Sequence, residues 1–384
     1  MKKILAGLFL SLLILLSMVS GCGQGAGDGS AGAHDTDISG ELVYEGSMEL
    51  LYAENFTVDY YTGDFSLVTI NGNERYLVVP EGSEAPGDLD GDVTVLHQPL
   101  NEIYLVASAV MDMFISMDAL DTLNFTGTKA DGWYLEEARE AVESGQILYA
   151  GKYSAPDYER ILAEGCDLAI ENTMVYHTPE VKEQLEKFDI PVLVDYSSYE
   201  VEPLGRTEWV KLYGLLTGRT KEAQEAFDSE QAAFASIGDA ADTGKTVAFF
   251  YITSNGEVNV RRSSDYLPKM IELAGGTYLP QNLGEDEDTR SSTISMQMEE
   301  FYAAAREADY IIYNSAIDGE LSSVDELLGK SELLEEFKAV REGNVYCTTR
   351  DLYQSSMELG TITADIHGML NGEEGGLVYL YRLK

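Results

Sequence analysis

The first ordered pattern in the chain is an alternation of apolar and polar residues between positions 41 and 96. The stretches FTVDYY, FSLVTI and RYLVVP are rich in Tyr, Val, Thr and Leu, and TGD, NGN and EGSEAPGDLDGD separate them. Alternation with a period of two is typical of strands, and Gly, Asn, Asp and Pro favour the turns between them. The pattern predicts a small N-terminal antiparallel β segment.

The pattern changes at about position 102. Short apolar runs (IYLVAS, ILYAG, DLAIEN, PVLVDY) alternate with helical stretches such as YLEEAREAVESG and PEVKEQLEKF. The same alternation resumes at KTVAFFYI and continues through DYIIYN, SELLEEFKAV and NVYCTT. Strands that alternate with helices of this length indicate βα units on largely parallel sheets.

The two alternating regions are separated by TKEAQEAFDSEQAAFASI, whose apolar residues recur at helical spacing. We therefore predict an α/β fold in which two lobes with mainly parallel sheets are joined by one long linker helix. The N-terminal lobe covers 41–218, the linker helix 219–238 and the C-terminal lobe 244–384. Because a single helix joins the lobes, only small hinge motion is expected.

Two segments of this pattern are nearly the same. Residues 167–172 read DLAIEN and residues 309–314 read DYIIYN, so both begin with Asp and end with Asn. Each follows a helical stretch that carries a Glu, DYERILAEGC in the first case and MEEFYAAAREA in the second. We interpret them as corresponding strands of two related lobes, with Asn172 and Asn314 facing one another across a cleft.

The N-terminus has the organisation of a secretory signal. Lys2 and Lys3 precede an apolar run at 4–19, and the small residues of VSGC follow it. The run is shorter than the ~20 residues that a membrane-spanning helix needs. We predict a signal peptide at 1–21 and a flexible Gly-rich tether at 22–40.

Composition excludes several classes of function. The net charge of −42 argues against nucleic acid or an anionic membrane surface as a partner. Three cysteines and four histidines show no metal-type spacing, so no protein-held metal and no cofactor are expected, and Cys166 and Cys347 are expected to be buried free thiols. No nucleophile–base or phosphate-loop motif is present, so no catalytic residue is assigned. A monomer is expected.

Candidate binding residues follow the strands, because ligands of open parallel sheets bind beyond the carboxyl ends of the strands. Basic side chains concentrate in these few loops, and Arg suits carboxylate or phosphate groups while Trp and Tyr offer flat apolar walls. Some of these arginines could instead cap helices or pair with surface carboxylates. The predicted ligand-binding residues are Ser108, Lys129, Trp133, Lys152, Tyr153, Asn172, Arg206, Arg261, Arg262, Asn314 and Arg350.

A resemblance to a known family rests on these same segments. DYERILAEGCDLAIEN, MEEFYAAAREADYIIYN and PLGRTEWVKLYGLLTG with the Ala/Glu-rich helix after it resemble the binding proteins of ABC importers for iron siderophores, haem and vitamin B12. The resemblance covers roughly 94–370. Cys166 stands where that family usually has Pro.

The resemblance implies a substrate-binding lipoprotein. Such a protein captures an iron complex of the ferric siderophore type and delivers it to a membrane permease. VSGC resembles a lipobox, which implies an extracytoplasmic protein anchored through lipidated Cys22. In this family one glutamate per lobe meets arginines of the permease, which implies that role for Glu159 and Glu300 (or for Glu299, if the alignment is one residue out).

Other functions stay open at this stage. Haem or a corrinoid would suit a cleft with anionic and aromatic contacts as well as a ferric chelate does. An enzyme on the same scaffold, or a surface interaction module built on 41–96, is the competing class.

Overall fold

The computed structural model describes residues 38–238, 240–284, 291–373 and 375–384. The predicted signal peptide, Cys22 and most of the predicted tether lie outside these residues. Ile38 is 1% exposed and packs under the N-terminal sheet, and Ser39 donates a hydrogen bond to Asp88. Residues 38 and 39, inside the range assigned to the tether, are therefore packed against the folded protein.

The chain begins with a five-stranded sheet. Its strands are β1 (Tyr44–Ser47), β2 (Phe56–Tyr61), β3 (Phe65–Ile70), β4 (Glu74–Val79) and β5 (Val93–His97). The first four pair antiparallel, as predicted, whereas β5 pairs parallel to β4. The long connection at 80–92 carries the chain back across the sheet and allows this parallel pairing.

The N-terminal lobe follows this sheet. Its strands are β6 (Ile103–Leu105), β7 (Leu123–Thr126), β8 (Leu148–Tyr149), β9 (Gly151–Lys152), β10 (Ala155–Pro156), β11 (Leu168–Asn172) and β12 (Val192–Asp195). Its helices are α1 (Met111–Ser116), α2 (Glu136–Glu143), α3 (Tyr158–Glu164), α4 (Pro179–Lys187), α5 (Pro203–Glu208) and α6 (Val210–Thr217). Five strands form one parallel sheet in the order β12-β11-β6-β7-β8, while β9 and β10 form a separate hairpin.

The linker is helix α7 (Thr220–Ile237), which has 18 residues and a length of about 27 Å at 1.5 Å per residue. The C-terminal lobe contains β13 (Lys245–Ile252), β14 (Val258–Arg261), β15 (Gly276–Leu279), β16 (Thr293–Met296), β17 (Tyr310–Tyr313), β18 (Val345–Thr348) and β19 (Leu380–Arg382). Its helices are α8 (Tyr266–Leu273), α9 (Met298–Ala305), α10 (Ser315–Asp318), α11 (Val324–Lys330), α12 (Lys338–Glu342) and α13 (Leu359–Leu370).

The C-terminal sheet is parallel at its centre and antiparallel at its edges. Strands β15, β13, β17 and β18 are parallel, whereas β14, β16 and β19 pair antiparallel with their neighbours. The predicted fold class, with two lobes of mainly parallel sheets and an N-terminal antiparallel segment, is confirmed.

The N-terminal sheet is built into the N-terminal lobe. Val68 and Ile70 of β3 point into the core of that lobe, and the alternate residue Leu67 packs in a smaller cluster on the outer face. The ring of Phe56 lies 4.9 Å from that of Trp209. The sheet therefore shares a hydrophobic core with the lobe, and replacing such a buried aromatic residue by Ala costs about 3–5 kcal/mol.

Two buried carboxylates hold the connection between β1 and β2. Glu208 accepts backbone N–H groups of residues 51–53 and Glu200 accepts those of residues 54 and 55. Lys211 also donates to Glu208 at 2.8 Å.

Cys347 is buried and Cys166 is partly buried, and both are free thiols. Within the described residues, no helix is both long and apolar enough to cross a membrane.

Candidate functional site

A cleft of about 310 Å³ lies between the two lobes. Its N-terminal wall is formed by the residues that follow β6, β11 and β12, as the parallel topology requires. Its C-terminal wall comes from the end of β14, the start of α8 and the segment after β18. The lining residues are Ala107, Ser108, Ala109, Asn172, Thr173, Met174, Asp195, Ser198, Arg206, Arg261, Tyr266, Ser292 and Tyr353.

Polar side chains on the N-terminal wall are fixed by local hydrogen bonds. Asn172 Oδ1 accepts the N–H of Met174 at 2.9 Å, which caps the turn after β11. The hydroxyls of Thr173 and Tyr199 lie 3.0 Å apart. Because these bonds tie side chains to the ends of rigid strands, the wall is largely formed before any ligand arrives.

Asp195 is the acidic group of this wall. It is 3% exposed and accepts hydrogen bonds at 2.8 Å from Ser197 and from Tyr213. Burial raises the pKa of Asp195 above its ordinary value, although both hydrogen bonds oppose that effect. The positive charge of Arg206 also opposes the effect of burial on this pKa.

Arg206 spans the cleft from one lobe to the other. Its guanidinium carbon lies 3.8 Å from the centre of the Tyr266 ring, and Nη1 donates to the carbonyl oxygen of Ser198 at 2.7 Å. In the described part of the chain, Arg206 has no carboxylate within ion-pair distance. A cation–π contact does not neutralise the positive charge, and the neighbouring Asp195 interacts with it electrostatically without a direct ion pair. This guanidinium can therefore bind an anionic group of a ligand.

Arg261 is the second cation of the cleft, and its charge is balanced. Nε and Nη2 donate to the two carboxylate oxygens of Asp265 at 2.6 and 2.9 Å. The guanidinium carbon also lies 5.5 Å from the ring of Tyr353. A two-point ion pair of this kind fixes the orientation of Arg261. Arg206 is therefore the cation of the described cleft lining that has no ion pair.

Of the predicted ligand-binding residues, the structure brings four together in the cleft: Ser108, Asn172, Arg206 and Arg261. Asn314 lies just behind this group. It is 2% exposed, and its Nδ2 donates to the hydroxyl of Tyr353 at 2.7 Å. Asn314 therefore supports a cleft side chain from below.

Other predicted residues lie away from the cleft lining. Trp133 is 2% exposed in the core of the N-terminal lobe. Lys129 lies 5.5 Å from the ring of Tyr149. Arg262 is buried and donates to the carbonyl oxygen of Gly284 at 3.0 Å.

The remaining three predicted ligand-binding residues, Lys152, Tyr153 and Arg350, lie at the surface or at the boundary between the lobes. Lys152 is exposed in the β9–β10 hairpin, and the neighbouring Tyr153 packs against the lobe core. Arg350 is exposed and stacks 4.5 Å from the ring of Tyr134 in the opposite lobe. Pocket residues that the sequence did not single out include Asp195 and Tyr266. Tyr266 directly follows the helix-capping Asp265, but only the folded lobes bring it against Arg206.

A C-terminal segment crosses to the N-terminal lobe beside the cleft. We call residues 350–358 the strap. Gln354 Nε2 donates to the carbonyl oxygen of Gly132 at 2.8 Å, and its Oε1 accepts the N–H of Tyr134 at 2.8 Å. Ser356 Oγ donates to the carbonyl oxygen of Ala109 at 2.6 Å. Tyr353, in the same strap, faces the ligand cleft.

The predicted docking glutamates are both exposed. Glu159 lies in the first turn of α3, before β11, and Glu300 lies in the first turn of α9, before β17. Glu299 is exposed beside Glu300. Among the described residues, no group of three His, Cys, Asp or Glu side chains is arranged to hold a metal ion.

Comparisons with known proteins agree with this architecture. Residues 106–352 match the family described as periplasmic binding protein. An uncharacterized lipoprotein of Methanocaldococcus jannaschii is 24% identical over 349 residues, which cover 86% of this chain and 80% of the relative.

Solved structures show the same fold. A periplasmic heme binding protein from Pseudomonas aeruginosa superposes with a TM-score of 0.58 at 16% identity, over 74% of this chain and 98% of that protein. An ABC-type Fe3+-hydroxamate transport protein from Saccharomonospora viridis gives 0.54 at 19% identity, over 71% and 93%. Since the family match covers well over half of the chain, the protein belongs to the periplasmic binding protein family, the solute-binding components of ABC importers.

Proposed function

We propose that this protein captures an iron complex of the ferric siderophore type in the cleft between its lobes and delivers it to an ABC permease. The guanidinium of Arg206, which forms no ion pair among the described residues, carries this proposal. It lies over Tyr266 in a cleft that combines aromatic and polar walls. A complex with anionic oxygens at its rim and apolar bulk would meet both kinds of contact.

The similar structures support a metal complex as the ligand class. The Pseudomonas aeruginosa protein binds heme and the Saccharomonospora viridis protein is of an Fe3+-hydroxamate system. Haem and corrinoids therefore remain the alternative ligands for this chain. Binding is proposed without any chemical change in the ligand.

Ligand titration tests the proposal directly. The purified protein is titrated with a ferric hydroxamate, a ferric citrate, haemin and cyanocobalamin, with the visible spectrum and tryptophan fluorescence as readouts. Saturable binding of a ferric chelate is expected. Failure of all four to bind would overturn the assignment of a metal complex as the ligand. Binding of only haemin or only cyanocobalamin would replace the ferric siderophore by that alternative ligand.

An arginine substitution then tests the site. Arg206→Ala is expected to weaken binding of an anionic complex about 10- to 100-fold, because loss of a charge-assisted hydrogen bond costs about 1.5–3 kcal/mol. Arg341→Ala is the matched control, since Arg341 is a surface arginine outside the cleft. Equal affinities of the two variants would exclude Arg206 as a ligand contact.

We also propose that the protein is held outside the cell membrane through a lipidated Cys22 and docks on its permease through Glu159 and Glu300. The lipoprotein relative and the exposed first-turn positions of both glutamates support this. Glu159→Lys/Glu300→Lys should abolish uptake of the ligand in cells while ligand binding persists. Glu140→Lys/Glu335→Lys makes the same charge change at other exposed positions, and uptake should survive it. Equal uptake in both double variants would contradict the docking proposal.

A further inference from the structure

A second, larger cavity of about 650 Å³ lies on the other side of the strap. The described residues that line it are all different from those that line the ligand cleft. Tyr353 of the strap faces the cleft, whereas Met357 and Glu358 face this second cavity. The strap is therefore a common wall, so a displacement on one side would be transmitted to the other.

The second cavity is acidic. Among the described residues, no Lys, Arg or His contributes to its lining, and Arg350 lies on the ring of Tyr134 at its edge. The titratable groups that line it are Asp112, Asp118, Tyr134, Glu136, Glu137, Glu222, Glu225, Asp351, Glu358 and Tyr379. Like charges placed this close disfavour ionisation of any member that is also buried.

Two buried carboxyl groups join the N-terminus of α13 to the rest of the molecule. Asp112 of α1 accepts the N–H of Met357 at 2.8 Å, and Glu230 of the linker helix accepts the N–H of Gly360 at 3.0 Å. Asp112 is 8% exposed and Glu230 is 5% exposed. We call these two hydrogen bonds the α13 contact. One bond crosses directly between the lobes and the other joins the linker to the C-terminal lobe.

The packing at this point leaves little freedom for partial adjustment. A Cβ atom added to Gly360 would lie 2.5 Å from the Cβ of Ala233 on the linker helix. The backbone of Gly360 thus packs directly against the methyl group of Ala233. Movement of the start of α13 away from the linker would break both hydrogen bonds of the α13 contact together.

The protonation of both groups is poised near neutral pH. Burial raises the pKa of Asp112 to about 7, and three further carboxylates add to the effect, those of Glu358, Glu137 and Asp351. Burial raises the pKa of Glu230 to about 8, with Glu358 and Asp112 adding to it. The backbone N–H groups oppose these shifts without cancelling them.

The effect of pH on the α13 contact follows from the difference in proton binding between its closed and open forms. If the contact opens, both carboxyls become solvated and return toward their ordinary pKa values of about 4. The closed contact therefore binds more protons than the open one between about pH 4 and pH 8. A rise in pH across this interval must favour opening.

We propose that the α13 contact is a proton-dependent fastening between the lobes, closed in mildly acidic surroundings and loosened in alkaline ones, which acts on the ligand cleft through the strap. The small hinge motion expected of a single-helix linker is compatible with this, since only the start of α13 and the strap need to move. The proposal does not depend on which ligand the cleft accepts.

Amide hydrogen exchange tests it on the protein without ligand. Exchange of the amides at 355–361 is followed from pH 6 to pH 9 and corrected for the intrinsic pH dependence of exchange. The opening constant of this segment is expected to rise about tenfold or more over the interval. Amides of β3, in the N-terminal sheet, serve as the internal reference for global unfolding.

Two double variants distinguish the pH effect of the α13 contact from that of the other carboxylates in the cavity. In Asp112→Asn/Glu230→Gln, neutral oxygens can still accept both hydrogen bonds, so opening should vary less than about twofold with pH. Glu222→Gln/Glu225→Gln removes two charges of the same cavity but neither hydrogen bond, and it should keep the pH dependence of the original protein.

Two results would overturn the proposal. One is an opening constant at 355–361 that does not change with pH in the original protein, relative to β3. The other is an unchanged pH dependence in Asp112→Asn/Glu230→Gln. If that double variant does not fold by circular dichroism, Asp112→Asn and Glu230→Gln are measured singly, and each must reduce the pH dependence.

Discussion

Strands β11 and β17 occupy similar places in the two lobes, because each pairs with a parallel neighbour on both sides. Each directly follows an Asp that accepts hydrogen bonds from a neighbouring segment. Asp167 accepts the N–H groups of Asn101 and Glu102 at 3.2 Å, and Asp309 accepts the N–H of Thr246 at 2.8 Å. The repeated Asp thus fixes the register of the strand.

The repeated Asn at the other end has a matching role. Asn172 accepts the N–H of Met174 at 2.9 Å and Asn314 accepts that of Ala316 at 3.2 Å, so each caps the turn that follows its strand. The similar ends of DLAIEN and DYIIYN therefore reflect the same two local tasks, performed once in each lobe.

The residue before the Asn shows how the two strands differ. Tyr313 donates a hydrogen bond to Asp318 at 2.5 Å. Glu171, at the equivalent position, is 0% exposed, and both of its carboxylate oxygens lack a hydrogen-bond partner in the structure as described. Burial raises the pKa of Glu171 to about 8. The C-terminal strand satisfies its buried polar group and the N-terminal strand does not.

Replacing Glu171 should give the largest effect. Between about pH 4.5 and pH 8 the unfolded chain has lost this proton and the folded protein keeps it, so the contribution of Glu171 to stability falls as pH rises. Glu171→Met, which removes the carboxyl at similar volume, should raise the free energy of unfolding by about 2–4 kcal/mol at pH 9 and less at pH 5.

The measurement can be confined to one lobe. Both tryptophans, Trp133 and Trp209, lie in the N-terminal core, so tryptophan fluorescence in urea follows that lobe. Glu171→Gln is the control that removes the charge but keeps a polar group. Tyr313→Phe, the equivalent change in the other lobe, should instead destabilise it by about 1 kcal/mol. A Glu171→Met variant less stable than the original at pH 9 would show that the carboxyl has a favourable partner.

Replacing the two asparagines should also destabilise the two lobes unequally, with smaller effects than replacement of Glu171. Asn314→Ala removes the cap and also the donor to Tyr353, and it leaves buried groups unpaired, so a loss of about 2–3 kcal/mol is expected. Asn172 is only partly buried, and Asn172→Ala should cost about 1 kcal/mol, the usual value for a cap. Hydrogen exchange of β17 and β11 measures each lobe separately, and equal losses would remove the distinction.

Much of this fold can be predicted from the sequence, because the hydrophobic patterns that indicate strands and helices are local. The alternation of strands and helices, and the 18-residue helix between the lobes, follow from periodicity within single segments. Strands β15, β16 and β19 were not predicted. Each has three or four residues, which is too short to show a period, and each depends on a neighbouring strand for its hydrogen bonds.

The candidate site was less predictable because its decisive contacts are long-range. Position after a strand was enough to name Ser108, Asn172, Arg206 and Arg261. Nothing in the sequence places Tyr266 under Arg206, since the two side chains come from different lobes. The same limit applies to Glu171, whose burial follows from its strand but whose lack of a partner depends on everything packed around it.

The smallest expected difference concerns the first residue of each strand. Burial would raise the pKa of Asp309, but hydrogen bonds from Lys338 and Thr246 outweigh it and hold the pKa below its usual range. The stabilisation by Asp309 is therefore complete above the unfolded pKa of about 4 and disappears as pH falls through the lower folded value. Asp309→Asn should cost about 1 kcal/mol at pH 7 and almost nothing near pH 3.

Asp167 accepts only backbone N–H groups among the hydrogen bonds described for it, so Asp167→Asn should cost about 0.5 kcal/mol. Lys338→Met should reproduce most of the Asp309→Asn effect, because the two side chains form one ion pair at 2.5 Å. A double-mutant cycle between Asp309 and Lys338 measures this coupling, with about 0.5–1 kcal/mol expected. A coupling near zero would mean that Asp309 acts through its hydrogen bonds from Thr246 and not through Lys338, and the ion pair would then not distinguish the two lobes at this position.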